Sequence, residues 1–203
     1  MNKILLICLI LLGLNATAQQ KSAWKRLGCA EKIWVLIHPF SAKKAQRLTA
    51  LAIQQSDSVH KEINFPNPKS GGRKDALRHA YWMALLSNKI GPKRALWLGK
   101  AHEKKGKKDF EKGIKEDGSL ADETAMKMDL LNNEFGAKIG KYCYDCDSKK
   151  LLETVLESLE KGELKIIKQN KQGQFLGENN QVIPTEEWNW KWENERVLIS
   201  SDL

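Results

Sequence analysis

Asp75, Arg78, His79, His102, Glu103, Asp129, Asn132 and Asn133 all fall between Arg73 and Gly140, in three short runs: R-K-D-A-L-R-H-A-Y-W, A-H-E and M-D-L-L-N-N-E-F-G. Two histidines with several carboxylates can act as general acid and base, while an arginine and amide side chains can hold a phosphoryl or carbonyl oxygen. Such a set suffices to hydrolyse a phosphoester or an ester. In that chemistry His79 is base or nucleophile and His102 its acid partner. Asp129 orients a histidine or ligates a divalent ion, and Glu103 is a further catalytic candidate. Arg78, Asn133, Asn132, Asp75 and Trp82 are candidates for holding the substrate. Glu103 is followed by Lys104, Lys105 and Gly106, so no H-E-x-x-H is present and a zincin is excluded. A His/His/Asp set still suits a divalent metal by ligand type, although no spacing fixes its geometry, so the cofactor stays open.

For these residues to meet, three segments must be helices. At about 100° per residue, Asp75, Arg78, His79, Trp82 and Leu86 share one helical face. After Gly91-Pro92, Ala95, Leu98 and His102 form a second stripe, with Glu103 about a quarter-turn away. On the third segment Ala125, Asp129, Asn132, Asn133, Gly136 and Gly140 line one side, and Met128, Phe135 and Ile139 its flank. Small residues in that stripe leave room for another backbone or a ligand. Two bland readings compete with chemistry: Asp75 can be a helix-terminal charge favoured by the dipole, and the whole cluster can be an internal salt-bridge network.

Ahead of the helices, residues 1–18 have the layout of a secretory signal peptide: Lys3, an apolar run from Ile4 to Leu14, and Ala16-Thr17-Ala18 before an expected cleavage after Ala18. The protein is then secreted or periplasmic, with no transmembrane helix in its mature part. The full chain carries 34 Lys+Arg against 25 Asp+Glu, a net charge of +9. That balance favours anionic lipid or a phosphate-bearing envelope polymer as partner, with nucleic acid a weaker reading. Cys29, Cys143 and Cys146 remain after cleavage, and a structural disulfide from Cys29 to one of the other two is expected. Cys143-Tyr144-Asp145-Cys146 lacks the second cysteine pair or histidine of a zinc set and the strand-then-helix of a thioredoxin.

Further helices are expected over Ala23–Ile37, after a Ser41 cap, and from Asp147 or Ser148 to Gly162. His38 and His60 stand outside any constellation and read as surface or packing residues. Residues 64–72 form a loop by their Pro and Gly content, and the Lys- and Gly-rich stretch after Glu103 is a solvated connector or a basic lid. Ser119 or Asp122 can cap the third site helix. From Glu163 the pattern changes: 164–167 and 181–183 are β-like and suggest a hairpin, and Trp188, Trp190 and Trp192 at period two suggest an extended tail with one aromatic face.

The three runs resemble a bacterial domain family of unknown function, found in secreted proteins and at the ends of polymorphic toxins, with the signature R-H-x-x-W, H-E and M-D-L-x-N-N-x-x-G. More distantly the arrangement is similar to the Wnt-related superfamily of lipid-headgroup enzymes. That likeness implies a helical core acting on phosphate-bearing headgroups, with His79, His102 and Asp129 on its polar positions.

The expected architecture is mainly α: a single-domain helical bundle with a small C-terminal β-hairpin. Residues 19–162 form the helical domain with the site at 73–140, and 163–203 the hairpin and Trp-rich tail packed on it. Function divides into two classes, a secreted hydrolase or transferase acting on headgroup or wall-precursor phosphoesters, and a non-enzymatic envelope binding protein whose polar cluster only fixes helix packing.

Overall fold

The computed structural model describes residues 24–66, 70–115 and 120–202. The leader at 1–18 with its cleavage point, Asn67-Pro68 and the Ser119 cap lie outside them. In chain order come α1 (Cys29–Ile37), α2 (Pro39–Ile63), α3 (Arg73–Ile90), α4 (Pro92–Glu111), α5 (Glu123–Tyr142), α6 (Ser148–Glu160), β1 (Lys165–Ile167), α7 (Thr185–Trp188) and β2 (Leu198–Ser200). The architecture is the mainly α one expected, a helical bundle with one small antiparallel strand pair.

The bundle is built around α3, which packs against α2, α4, α5 and α6. From Ala76 to Leu86 only Arg78 escapes full burial, so this helix is apolar nearly all round and occupies the centre. Its closest neighbour is α5. A Cβ on Gly136 would lie 1.9 Å from the Ala80 carbonyl oxygen, and one on Gly140 2.1 Å from that of Ala84. The small-residue stripe of α5 therefore accommodates the backbone of α3. Across this seam Ser87 donates to the Ala137 carbonyl at 2.7 Å.

Helix ends follow local chemistry. Asp122 caps α5 by accepting from Ala125 N, and Asp147 caps α6 by accepting from Lys150 N. Ser41 does not cap α2. Pro39 supplies a preset first position, so the helix begins there and Ser41 lies inside it. Residues 24–26 are helical as the apolar pattern suggests, the helix breaks at 27–28, and α1 starts at Cys29, with Gly28 N donating to Glu31 Oε2 at 2.7 Å. The Lys-rich stretch after Glu103 continues α4 to Glu111, because lysines are good helix formers and Lys105 pairs with Asp109 one turn on.

Cys143 and Cys146 are disulfide-bonded to each other, and Cys29 is a free, exposed cysteine. The expected bridge to Cys29 is not formed. The turn after α5 brings the Cys143 and Cys146 Cα atoms to 5.3 Å, within bonding range. Cys29 instead shares a groove with Met126 and Leu130, about 20 Å along α5 from Cys143. Asn88 ties the turn to α3, donating to the Cys143 and Tyr144 carbonyls.

The strand pair joins Lys165–Ile167 to Leu198–Ser200, in register Ile166 opposite Ile199. Residues 181–183 make only an isolated bridge, Leu176 with Val182. The tryptophan tail is not an extended aromatic face. Trp188 sits in the one-turn helix α7, packed edge-on to Phe175, and Trp192 packs on Phe110. Trp190 has a positive φ of 66°, and the turn it makes scatters the three rings. The tail is fastened to α5 by a buried clamp: Asp122 pairs with Arg196 and accepts from Asn194 Nδ2 at 2.6 Å, while Glu123 N donates to the Trp192 carbonyl. Arg196 lies over the Phe175 and Trp188 rings.

Gly136→Ala tests the seam at the centre of this fold. Alanine gains up to about 1 kcal/mol of helix propensity, but its methyl must displace a backbone carbonyl, so a net loss of at least about 2 kcal/mol is expected. Urea unfolding checks it, with Gly106→Ala as the control that meets nothing within 4 Å and stabilises.

Candidate functional site

The first turns of α3 enter the bundle where α4 and α5 flank it, so Asp75 and His79 arrive buried. Gly71, at φ +89, turns the chain into α3 and donates its N–H to Asp75 Oδ2 at 2.8 Å. Arg78 Nη2 donates to Asp75 Oδ1 at 2.6 Å. His79 Nε2 stands 3.6 Å from Asp75 Oδ1 and 3.5 Å from Asp129 Oδ1 on α5. Ligand-type atoms of Asp75, His79 and Asp129 all lie within 4.8 Å of one another, so among the described residues these three are the group that could hold a metal.

His102 approaches from α4. Its ring centroid is 6.4 Å from that of His79 and 5.7 Å from that of Trp82. His102 Nδ1 meets Glu31 Oε1 at 3.1 Å, and the other Glu31 oxygen is held by Gly28 N. Trp82 forms an aromatic wall, its Nε1 donating to Thr49 Oγ1 on α2 at 2.9 Å. Asn133 is 2% exposed and beside the His79 ring, yet neither of its amide atoms makes a well-aligned hydrogen bond among the described residues. Gly99 makes space for it: a Cβ there would come 3.3 Å from Asn133 Nδ2.

Asp75, Arg78, His79, Trp82, His102, Asp129 and Asn133 therefore converge. Asn132 does not join them. Its amide is spent on the backbone of β1, accepting from Lys165 N and donating to Lys165 O, both at 2.8 Å. Glu103 is buried on the wall of a lysine-rich groove between α1, α4 and α5 and is not one of the three metal-capable residues. His38 and His60 pack as expected, His38 edge-on to Trp34 and Trp97, His60 stacked on Phe65. Glu31 was not among the residues the sequence singled out. Its signal was visible only in retrospect: it is the one acid between Cys29 and Ser56.

Burial pushes the His79 ring down to about 4, helped by Arg78 and His102 and opposed by Asp75 and Asn133. It is a neutral imidazole at neutral pH. For Asp75, burial works upward, but Arg78, His79 and hydrogen bonds from Gly71 and Ser70 outweigh it and hold the carboxyl below its usual range.

A pH dependence follows. Between pH 6.5 and about 4 the unfolded chain binds a proton at residue 79 that the folded protein does not. Stability therefore rises with pH across this window, and acidification through it costs on the order of 3 kcal/mol. Asp75 adds a loss below its ordinary 3.8, since its folded value is depressed. Urea midpoints across the window in metal-free buffer check the sign; His79→Gln flattens the slope, and a variant as steep as the parent would assign the loss elsewhere.

No curated protein and no solved structure matches the chain. One family profile does, over residues 32–163, taking in α2 to α6 and every converging residue except Glu31. The tail with its clamp residue Arg196 lies beyond the matched span. With well over half its length matched, the chain belongs to the family described as Domain of unknown function (DUF6973).

Proposed function

We propose that the protein is a secreted hydrolase or transferase that acts on phosphoester bonds of anionic headgroups. The observation that carries this reading is the pair of carboxylate-backed histidines, His79 and His102, with ring centroids 6.4 Å apart beside Arg78. Their environments divide the work. His79 is too deeply buried and too weakly basic to be the proton carrier. The His102 side chain is 29% exposed and its ring is fixed by Glu31 at Nδ1, so it is the histidine that takes or gives a proton. Arg78 can turn its guanidinium from Asp75 to a phosphoryl oxygen, and the Asn133 amide supplies a second polar contact. Trp82 walls the pocket against water.

A surface feature supports the choice of an anionic headgroup. Ile33, Leu36, Ile37 and Phe40, the last 96% exposed, form an apolar ridge where α1 meets α2, and Trp97 joins it through its contact with His38. Phe40, Lys43, Lys44 and Arg47 share one face of α2, and Lys93, Trp97 and Lys100 share one of α4, all of them exposed. Glu31, buried against His102, is the one acid in these stretches. An apolar ridge rimmed by cations suits an anionic interface. The export-signal layout of residues 1–18 and the Cys143–Cys146 disulfide agree with an oxidising compartment. Among the described residues no helix is long and apolar enough to cross a membrane.

The test is release of headgroup or phosphate from vesicles of mixed anionic phospholipids and from lipid-linked wall precursors. His102→Ala is expected to lower kcat/KM by about 10²–10⁴-fold with little change in thermal stability. Absence of turnover on every substrate, together with a large stability loss in His102→Ala, would favour a non-enzymatic binding protein whose cluster only holds the helices together.

A further inference from the structure

We propose that Asp75, His79 and Asp129 form a three-ligand site for a divalent cation of the zinc or manganese class, with the remaining position open toward His102. The inference deepens the hydrolase reading by naming the cation that sits beside its substrate, and it rests on geometry that holds whether or not turnover is found.

His79 Nε2 lies between two carboxylate oxygens, at 3.6 and 3.5 Å, and bonds well to neither. A buried imidazole N–H facing a carboxylate ordinarily closes to hydrogen-bond distance, roughly 2.7–3.2 Å. The gap is instead the edge expected between ligands sharing an ion: bonds of about 2.0–2.2 Å at tetrahedral angles separate ligand atoms by roughly 3.3–3.6 Å. The Asp75–Asp129 edge lies within 4.8 Å and is closed by a small rotation of Asp129, whose side chain is 13% exposed.

A second observation points the same way. Both amide atoms of the buried Asn133 lack a well-aligned hydrogen bond, and so does His79 Nδ1. An ion on Nε2 puts the ring proton on Nδ1, where the neighbouring Asn133 Oδ1 can accept it. One event then satisfies two of these three atoms, His79 Nδ1 and Asn133 Oδ1. A partner of this kind is what a ligating histidine normally has on its far nitrogen. Asp75 is likewise preset by Gly71 N and Arg78. The donor set agrees: Asp75 and Asp129 put two carboxylates beside the imidazole, and a divalent ion there would be receptive to a phosphoryl group. An imidazole with two carboxylates favours zinc or manganese over calcium, which takes oxygen ligands only. When bound, the ion supplies Lewis-acid charge to a phosphoryl oxygen. His102 remains the group that moves the proton, and Trp82 and Asn133 keep their positions.

The experiment is calorimetric titration of chelator-treated protein with Zn²⁺, Mn²⁺ and Mg²⁺, on a Cys29→Ser background so that the exposed thiol cannot bind zinc. The expected result is one saturable site for Zn²⁺ or Mn²⁺, with a rise in Tm. Asn133→Ala should weaken it about 10–100-fold, and Asp129→Asn and His79→Gln should weaken it more. Co²⁺ loading of the unmutated site gives a second readout, the strong visible absorption of a four-coordinate ion, which needs no variant to fold. Absence of saturable binding, or equal affinity in the Asp129→Asn protein, overturns the proposal. Binding without turnover on any phosphoester upholds the cation site and removes the hydrolase; turnover undiminished in chelator, without binding, does the reverse.

Discussion

Everything in this molecule depends on how closely α3 and α5 approach. Gly136 and Gly140 let the carbonyls of Ala80 and Ala84 lie where a side chain would otherwise be. At this distance Asp129 and Asn133, about two turns and one turn before Gly136, are brought against the first turns of α3. The same approach that seals the apolar centre forces charged groups into contact below it. Packing and site are thus two ends of one seam. The seam's upper end is fixed further by Ser87 on the Ala137 carbonyl and by Asn88 on the disulfide turn.

Among the described residues two aspartates are buried, Asp75 and Asp122, and they are treated differently. Asp122 is saturated: one oxygen caps α5 through Ala125 N, the other takes Asn194 and Arg196, and Arg196 is itself sandwiched over Phe175 and Trp188. This is how a burial cost is met when the only task is to fasten a tail. Around Asp75 the arrangement is different. Arg78 and Gly71 stabilise the carboxylate, but the adjoining His79 Nδ1 and Asn133 amide are left without well-made bonds in a region with no bulk water to supply them. Two acids in one protein, one fully satisfied and one set among orphaned groups, contrast a tail clamp with the candidate site.

Much of this was legible in the sequence because it is local. Helical spacing placed Asp75, His79 and Trp82 together, the small residues of α5 announced a close approach, and Asp147 and Gly162 marked their helix ends. What failed was non-local or set by competition. Asn132 and Asn133 are adjacent and chemically identical, and only the position of β1 decides that the first is consumed by Lys165. Glu31 reaches His102 across 71 residues. The strand opposite Lys165–Ile167 is Leu198–Ser200 because the clamp at Asp122 carries the chain back there, whereas 181–183 had the stronger β-like composition. Cys29 was assigned a partner by counting cysteines, and distance along α5 overrides the count. Lysine content suggested a solvated connector after His102, although lysine is also a good helix former.

The two histidines show why burial pattern, more than residue type, assigns chemistry here. His79 lies on the apolar central helix and His102 on the lysine-rich α4, and in sequence each is a lone histidine beside an acid or arginine. His79 enters in the second turn of α3, where burial disfavours a positive ring, and it stays neutral. His102 lies mid-helix with a partly exposed edge, and a carboxylate from α1 holds its Nδ1 at 3.1 Å. Environments that differ in this way are what an acid–base division requires. The carboxylate on His102 is supplied by α1, which the whole of α2 separates in sequence from the other site helices. Gly28 contributes directly: its N–H holds Glu31 Oε2, and a side chain there would meet Lys105 Cβ at 2.9 Å. The start of α1 is therefore a positioning element of the site, although it carries none of the residues that the motifs mark out.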